Sequence, residues 1–249
     1  MWNTSGVVRL SLVYRGRAVP LGWKVLEHPS SRVAYDMYKD VLDRVAELLP
    51  CRCPVVLTAD RGVADTHRMA HRARLGWHWR MRLNGSVGMY RDGKRGGQVK
   101  RMPWSPGKAL FWHGVYSTQH RYGPGPIAMA RCHAGKADGF VVSDAPPAVQ
   151  TFEESGWRVA IAEHCVDDQA NGVPLESSLI RSAAALERLC LGLAITTRYL
   201  VAQGTEVVQQ GQRRWVDAHG CRGQSSLKIG WHGVTLALSR GYTLVTRVH

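Results

Sequence analysis

Hydrophobic and polar residues alternate near the start of the chain in the way that a β-strand requires. Residues 8–14 alternate, the letters YRGR follow, and a second run extends from Ala18 to Leu26. Successive side chains of a strand point to opposite faces, and a short glycine-containing turn lets the chain reverse. The pattern therefore predicts a β-hairpin.

Helical spacing replaces this alternation after residue 30. Ser30 and Ser31 are residues that cap helices, and the apolar positions that follow recur every three or four residues: Val33, Met37, Val41, Val45 and Leu48. We expect a helix to about Leu49, where Pro50 ends it. The continuous apolar run PVVLTA, residues 54–59, then predicts a strand in the middle of a sheet covered on both faces.

The rest of the chain divides into segments that differ in composition and in the spacing of apolar residues. A helix is predicted over residues 64–75 and a strand over 77–83, and glycines, prolines and aromatic residues then interrupt short apolar runs as far as residue 144. Helical spacing returns over residues 147–154, 158–168 and 177–202, with Gly204 as the expected C-terminal cap and one more helix in the tail. We therefore predict three parts: a core over 1–83, a β-rich insertion over 84–144, and a helical remainder over 145–249.

The net charge of the chain indicates what kind of partner it binds. Thirty-three Lys and Arg residues against nineteen Asp and Glu give a formal net charge of +14. A basic excess of this size favours a polyanionic partner, because each neutralised phosphate releases a counterion. Basic residues cluster after residue 60, in the tail, and in the insertion, where they are Arg91, Lys94, Arg95, Lys100 and Arg101. Double-stranded DNA is the expected partner, and a merely basic surface is the alternative.

The cysteines and the hydropathy pattern indicate the compartment. Six cysteines are scattered without a disulfide framework, and Cys51 and Cys53 are too close in sequence for a zinc knuckle. Cys190 lies in an apolar helical run, where free thiols usually pack. No apolar segment is long enough for a signal peptide or a membrane span. We expect a reduced, cytoplasmic protein with no membrane partner.

Two segments carry a family resemblance. The first is LTADRG, residues 57–62, and the second is SGWRVAIAEHCVDDQANGVPLESSLIR, residues 155–181. Together they resemble the second and third catalytic blocks of bacterial insertion-sequence DDE transposases of the IS-four type, in which a β-rich insertion precedes the last acid. The similarity continues along nearly the whole chain, from LSLVYRGRAVPLGWKVLEH to RRWV and SSLKIGW.

This resemblance implies an α/β fold with a ribonuclease-H-like core, a β-rich insertion and C-terminal helices. It places the family's first aspartate a few residues upstream of Met1, so we expect the first strand of the core to be missing. It also implies Mg²⁺ or Mn²⁺ as cofactor, double-stranded transposon ends as partner, a homodimer on DNA, and a bacterial, nucleoid-associated location. Removing a central strand would leave its neighbours without ladder partners.

The same resemblance assigns the site residues. Asp60 takes the place of the family's second metal-binding acid, although an Asp after a strand can also simply cap the next helix. The third acid, a glutamate in the family, is Ala162 here. Glu163 cannot replace it, because one residue along a helix is a rotation of about 100°. Arg158 keeps the family's DNA-contacting arginine and Gln169 replaces its lysine, while Arg61, Lys100 and Arg101 complete the expected DNA contacts.

Three hypotheses about activity follow. In the first hypothesis, the chain is a DDE transposase that acts in DNA transposition and whose cleavage and strand-transfer chemistry is impaired. If this chemistry is lost completely, the chain is a non-catalytic DNA-binding remnant. Alternatively, it is a working enzyme with an upstream aspartate and an unorthodox third ligand. Finally, it is the product of a decayed open reading frame that does not fold stably.

Overall fold

The computed structural model describes residues 6–27, 34–59, 74–92, 94–103, 105, 107–117, 122–130, 139–157, 161, 180, 182–217 and 224–244. The chain forms two compact units. The first contains residues 1–30, 40–45 and 159–249, and the second contains residues 31–39 and 46–158.

The described residues form both strands and helices around a mixed sheet, which confirms the predicted α/β class. The strands are β1 (Gly6–Tyr14), β2 (Arg17–Leu26), β3 (Val56–Ala59), β4 (His78–Arg82), β5 (Gly88–Arg91), β6 (Lys94–Gln98), β7 (Ala109–Ser117), β8 (Tyr122–Ala130) and β9 (Gly139–Ser143). The α-helices are α1 (Lys39–Leu48), α2 (Val149–Gly156), α3 (Ala183–Gln209) and α4 (Ser226–Arg240). The ribonuclease-H-like core and the two predicted boundaries between the three parts stay predictions.

The first unit contains the predicted hairpin. Strands β1 and β2 pair antiparallel, from Gly6 opposite Leu26 to Tyr14 opposite Arg17. Arg15 and Gly16 both have positive φ, at 51° and 73°, as a tight two-residue hairpin turn requires. Helix α1 crosses β2 at Gly22, where a Cβ would lie 2.8 Å from a methyl carbon of Val45. The hairpin prediction is confirmed.

The helix expected to begin at Ser30 and Ser31 begins later among the described residues. A 3₁₀ turn covers Tyr35–Met37, and α1 starts only at Lys39. Tyr38, between them, has φ −131° and ψ 1°, which interrupts α-helical geometry. The prediction of one continuous helix is therefore wrong for residues 34–38. Ser30 and Ser31 lie outside the described residues.

Helices α3 and α4 cross at two glycines. A Cβ on Gly204 would lie 1.9 Å from the carbonyl oxygen of Ser226, and one on Gly230 would lie 1.9 Å from the carbonyl oxygen of Leu200. The two backbones are thus in direct contact at the crossing. The prediction that Gly204 caps a helix is wrong: α3 continues to Gln209, because this glycine serves close packing inside the helix.

The second unit is built on a seven-stranded sheet in the order β3-β4-β9-β8-β7-β5-β6. Among the described strands of this sheet, only the β3–β4 pair is parallel, and the other pairings are antiparallel. The β-rich character predicted for residues 84–144 is confirmed, since β5 to β9 all lie there. Strand β3, expected in the middle of a sheet, is instead the edge strand of the sheet that the described residues form. Its apolar run reflects partial burial of all four residues rather than a central position.

The core of the second unit lies on one face of this sheet. It contains large, fully buried apolar side chains: Met81, Met89, Ile127 and Met129. Trp112 is half-buried and packs against this cluster, in agreement with its ordinary role as a core aromatic residue. Cys190 in α3 is buried, as predicted.

One hydropathy prediction can be checked on the described residues. Among them, no helix combines the length and the apolar composition needed to cross a membrane.

The α3–α4 crossing yields a stability prediction. Gly204→Ala and Gly230→Ala should each lower the free energy of unfolding by about 3 kcal/mol or more, because the new methyl group would overlap a backbone carbonyl oxygen. Urea unfolding followed by circular dichroism measures the change.

Gly192 in the same helix provides the control. A Cβ there would meet no atom within 4 Å, so Gly192→Ala should raise stability by about 0.5–1 kcal/mol through helix propensity. Equal effects at Gly192 and Gly204 would contradict the close crossing.

Candidate nucleic-acid interface

Basic side chains concentrate at the β6 end of the seven-stranded sheet. Strands β5 and β6 form a hairpin in which Tyr90 lies opposite Arg95 and Arg91 lies opposite Lys94. A 3₁₀ turn, Val99–Arg101, follows directly. We call the exposed cations of this segment the basic edge: Arg91, Lys94, Arg95, Lys100 and Arg101.

Buried residues fix the basic edge to the core. Met89 in β5 is 1% exposed and Val99 in the 3₁₀ turn is fully buried. The amide of Val99 donates to the carbonyl oxygen of Val87, and that of Lys100 donates to Gly85. Gly85 also makes room for the stem of Lys100, since a Cβ there would lie 3.0 Å from the Cβ of Lys100. The cations therefore project from a held backbone rather than from a loose loop.

The basic edge carries much more positive than negative charge. Asp92 is the acid between Arg91 and Arg101 in the sequence. Its carboxylate lies 3.9 Å from Nε of Arg91, and the two side chains are 90% and 65% exposed. A pair at this separation in water is worth little. Asp92 therefore offsets only a small part of the positive charge that this segment presents to solvent.

An aromatic row accompanies these charges on the sheet face opposite Met89. Tyr90 lies opposite Arg95 on one side and opposite Tyr116 of β7 on the other. Direct cross-strand partners share a face, so Arg95, Tyr90 and Tyr116 form one row. A Cβ built on Gly88 would lie 3.6 Å from Cε2 of Tyr90 and 3.9 Å from Nε of Arg95, so both side chains lean over this glycine. Sequence spacing did not predict this row, because the pairing of β5 with β6 and β7 determines it.

One described arginine from each of the two other predicted basic groups is bound to acidic side chains of the protein. Arg80, in the group that follows residue 60, is only 9% exposed. Its Nε donates to Oε2 of Glu154 at 2.6 Å and its Nη1 donates to Oδ1 of Asp144 at 2.9 Å. In the tail, Nε and Nη2 of Arg213 both donate to Oδ2 of Asp217. These two arginines are engaged inside the protein rather than directed at a ligand.

Asp144 is the centre of the Arg80 cluster. Oδ1 also accepts the backbone N–H of Trp79, at 3.0 Å, and Oδ2 lies 2.8 Å from Nδ1 of His78. One carboxylate thereby joins the start of β4 to the residue after β9, while Glu154 adds α2 to the same cluster. Burial of an arginine is tolerated here because its donors are met by acceptors.

Two of the predicted site residues are described and both are exposed: Lys100 and Arg101. The structure brings them together in the 3₁₀ turn beside the β5–β6 hairpin. The remaining predicted residues lie outside the described residues: Asp60, Arg61, Arg158, Ala162 and Gln169. In the part of the chain that the structure describes, no group of three His, Cys, Asp or Glu side chains is arranged to hold a metal ion.

The Arg80 cluster yields a second stability prediction. Asp144→Ala should lower the free energy of unfolding by about 2–3 kcal/mol, because it leaves the donors of Arg80 and Trp79 without this acceptor. Lys24→Met is the matched control, since it removes one charge from the more exposed Lys24–Asp40 pair and should cost less than about 1 kcal/mol. Urea unfolding followed by tryptophan fluorescence compares the two, and an Asp144→Ala effect no larger than the control would contradict the role of the cluster.

Comparison with known proteins returns no relative: no protein-family model matches the chain, and no curated protein matches it.

Proposed function

We propose that this protein binds double-stranded DNA through the basic edge, as a DDE-transposase-type protein whose strand cleavage is impaired. The observation that carries the proposal is the concentration of five exposed cations over residues 91–101 with Asp92 as their acidic neighbour. Phosphate contacts from Lys and Arg supply most sequence-independent affinity for DNA. A cytoplasmic, nucleoid-associated location and a homodimer on DNA belong to the same proposal.

A competing explanation for part of the charge is protection of a sheet edge. Strand β6 is the last strand of the sheet, and lysines or arginines on edge strands prevent pairing with other chains. This explanation covers Lys94 and Arg95, which belong to β6. It does not cover Lys100 and Arg101, which lie in the 3₁₀ turn after the strand. Ligand binding accounts for both pairs together.

The aromatic row supports nucleic acid over other polyanions. Planar rings offer stacking surfaces to bases, and an arginine beside them can hold a phosphate with two parallel hydrogen bonds. Tyr90 and Tyr116 are half-buried and lie opposite each other, and Tyr90 also lies opposite Arg95. A simple polyphosphate would gain nothing from these rings.

The element order supports the transposase part of the proposal. A hairpin, a helix and strand β3 follow one another, and β3 leads to Asp60 in LTADRG. This order of elements is the one that the family resemblance implies for a ribonuclease-H-like core.

Impaired cleavage rests on the family resemblance. By the resemblance, Asp60 would hold a divalent metal ion, which would supply activation of the attacking hydroxyl and stabilisation of the leaving oxygen, and this chemistry requires several converging carboxylates. Position 162 has a methyl group in place of a carboxylate. The alternative is a working enzyme in which a different acidic residue serves as the missing metal ligand.

Binding is tested by removing three cations from the basic edge. The triple variant Arg95→Gln, Lys100→Gln and Arg101→Gln should lower the affinity for a duplex about tenfold or more at low salt. The slope of log affinity against log salt should fall by about 0.9 for each phosphate that the variant no longer neutralises. Fluorescence anisotropy with duplexes of unrelated sequence, between about 50 and 200 mM NaCl, measures both quantities.

Three exposed arginines on helices α3 and α4 supply a control of equal charge: Arg188, Arg198 and Arg240. Their triple Gln variant should keep the wild-type slope. If both triple variants weaken binding equally, net charge rather than the basic edge explains the affinity.

Cleavage is tested separately with supercoiled plasmid and Mn²⁺ or Mg²⁺. We expect the wild-type protein to bind the plasmid without nicking it, because position 162 is Ala. Gel electrophoresis distinguishes supercoiled from nicked circles. Nicking that disappears in Asp60→Ala would overturn the impaired-cleavage proposal and favour the working enzyme.

A further inference from the structure

Two exposed cysteines lie on a single tight turn between α1 and β3. The segment reads Pro-Cys-Arg-Cys-Pro over residues 50–54. Cys51 and Cys53 are both exposed free thiols. The amide of Cys53 donates to the carbonyl oxygen of Pro50 at 3.1 Å, which closes a β-turn with Cys51 and Arg52 at its centre.

The backbone of this turn brings the two cysteines towards each other. Arg52, between them, has φ 65°, in the left-handed region that is uncommon for a residue with a side chain. Two steps of about 3.8 Å join the Cα atoms of Cys51 and Cys53, so the bend at Arg52 holds these atoms closer than the roughly 7.6 Å of a straight path. Disulfides span Cα separations of roughly 4.4–6.8 Å, which a bent path of this length can meet.

The segments on both sides restrict this turn. Pro50 and Pro54 each have a fixed φ, and each also biases its preceding residue towards extended conformations. Leu49 before the turn is extended, with ψ 144°. After the turn, the carbonyl oxygen of Val55 accepts the amide of His78, which ties the chain to β4. Little conformational freedom therefore remains to be lost when the two sulfurs join.

We propose that Cys51 and Cys53 form a reversible dithiol–disulfide pair that exchanges with low-molecular-weight disulfides of the glutathione class. One cysteine thiolate attacks a sulfur of the small disulfide, whose S–S bond breaks and releases one thiolate. The second cysteine then attacks the protein-side sulfur of the mixed disulfide and releases the other. The two protein thiols lose two electrons and two protons, and the small disulfide gains them as two thiols.

The pair has the properties of a redox-sensitive site rather than of a structural bond. Both sulfurs are accessible, whereas Cys190 is 3% exposed within α3 and cannot meet a reagent without local opening. A bond across one intervening residue holds no distant parts of the fold together. This site is separate from the basic edge, and its chemistry does not depend on DNA binding.

Peptide mapping of the full-length protein provides the test. The protein is equilibrated in reduced and oxidised glutathione, alkylated to trap free thiols, and cut with trypsin. Cleavage after Arg52 separates VAELLPCR from CPVVLTADR. We expect these two peptides to remain joined until reduction, or to appear as one uncut peptide that is two hydrogens lighter. Cys190 should be recovered in its alkylatable, reduced form.

Single variants show whether the second cysteine resolves the first. Cys51→Ser and Cys53→Ser should each retain a glutathione adduct on the remaining cysteine, at a level about tenfold or more above that of the wild type. Stable adducts on both cysteines of the wild type, with no bond between them, would overturn the proposal. So would a disulfide from either one to a different cysteine.

The turn itself can be varied without touching sulfur. Arg52→Gly keeps the left-handed conformation accessible and should preserve the pair, whereas Arg52→Val disfavours it and should lower the fraction of the bond at a given glutathione ratio. Circular dichroism of both variants checks that the fold is retained. Equal oxidation of the two variants would show that the left-handed turn does not bring the cysteines together.

Discussion

The pairing of β4 with β9 is the constraint on which the second unit depends. β9 follows β8 in the chain and hydrogen-bonds to it, yet its other edge must reach back across sequence to β4. Three residue pairs join them, from Arg80 opposite Ser143 to Arg82 opposite Val141. Without these pairs the sheet would separate into β3–β4 and the antiparallel remainder. The Asp144 carboxylate reinforces the junction at its end, because it binds both the backbone and the side chains of β4.

The junction also explains why the basic edge is a defined surface. Met81 of β4, Met129 of β8 and Met89 of β5 are all almost fully buried and belong to one cluster. The hydrophobic contacts of this cluster extend from the junction to the hairpin that carries the cations. Long side chains such as lysine lose rotamer entropy when they bind, so a held backbone beneath them limits the further cost of binding.

Local patterns predicted the elements that depend on local chemistry. Alternation and a Gly-containing turn identified the β1–β2 hairpin, and helical spacing identified α2, the body of α3 and the tail helix α4. The sequence did not reveal the position of β3, because strand order is decided by long-range pairing rather than by hydrophobicity. Tyr38 interrupted a helix whose apolar spacing is otherwise continuous.

Glycine and arginine each have more than one structural role, so their local sequence context does not determine which role they take. Gly204 follows a helical run and so resembles a cap, but its lack of a Cβ serves contact with α4 instead. Arg80 adds to a basic cluster in the sequence, but Asp144 and Glu154 neutralise it inside the fold. A count of charges cannot distinguish these cases, because the partners are more than sixty residues away. The basic edge is the opposite case: its cations and Asp92 are neighbours in sequence, so local composition was sufficient.

DNA binding and DNA cleavage have different physical requirements, so a chain can lose one without losing the other. Phosphate binding needs exposed cations on a stable support, and each contact contributes nearly independently to affinity. Metal-dependent cleavage needs several carboxylates at one point, so the loss of a single acid removes most of the rate. Under the proposed function, a chain with Ala at position 162 would lose chemistry, whereas DNA binding would depend on the basic edge, which is built from β5, β6 and the turn that follows.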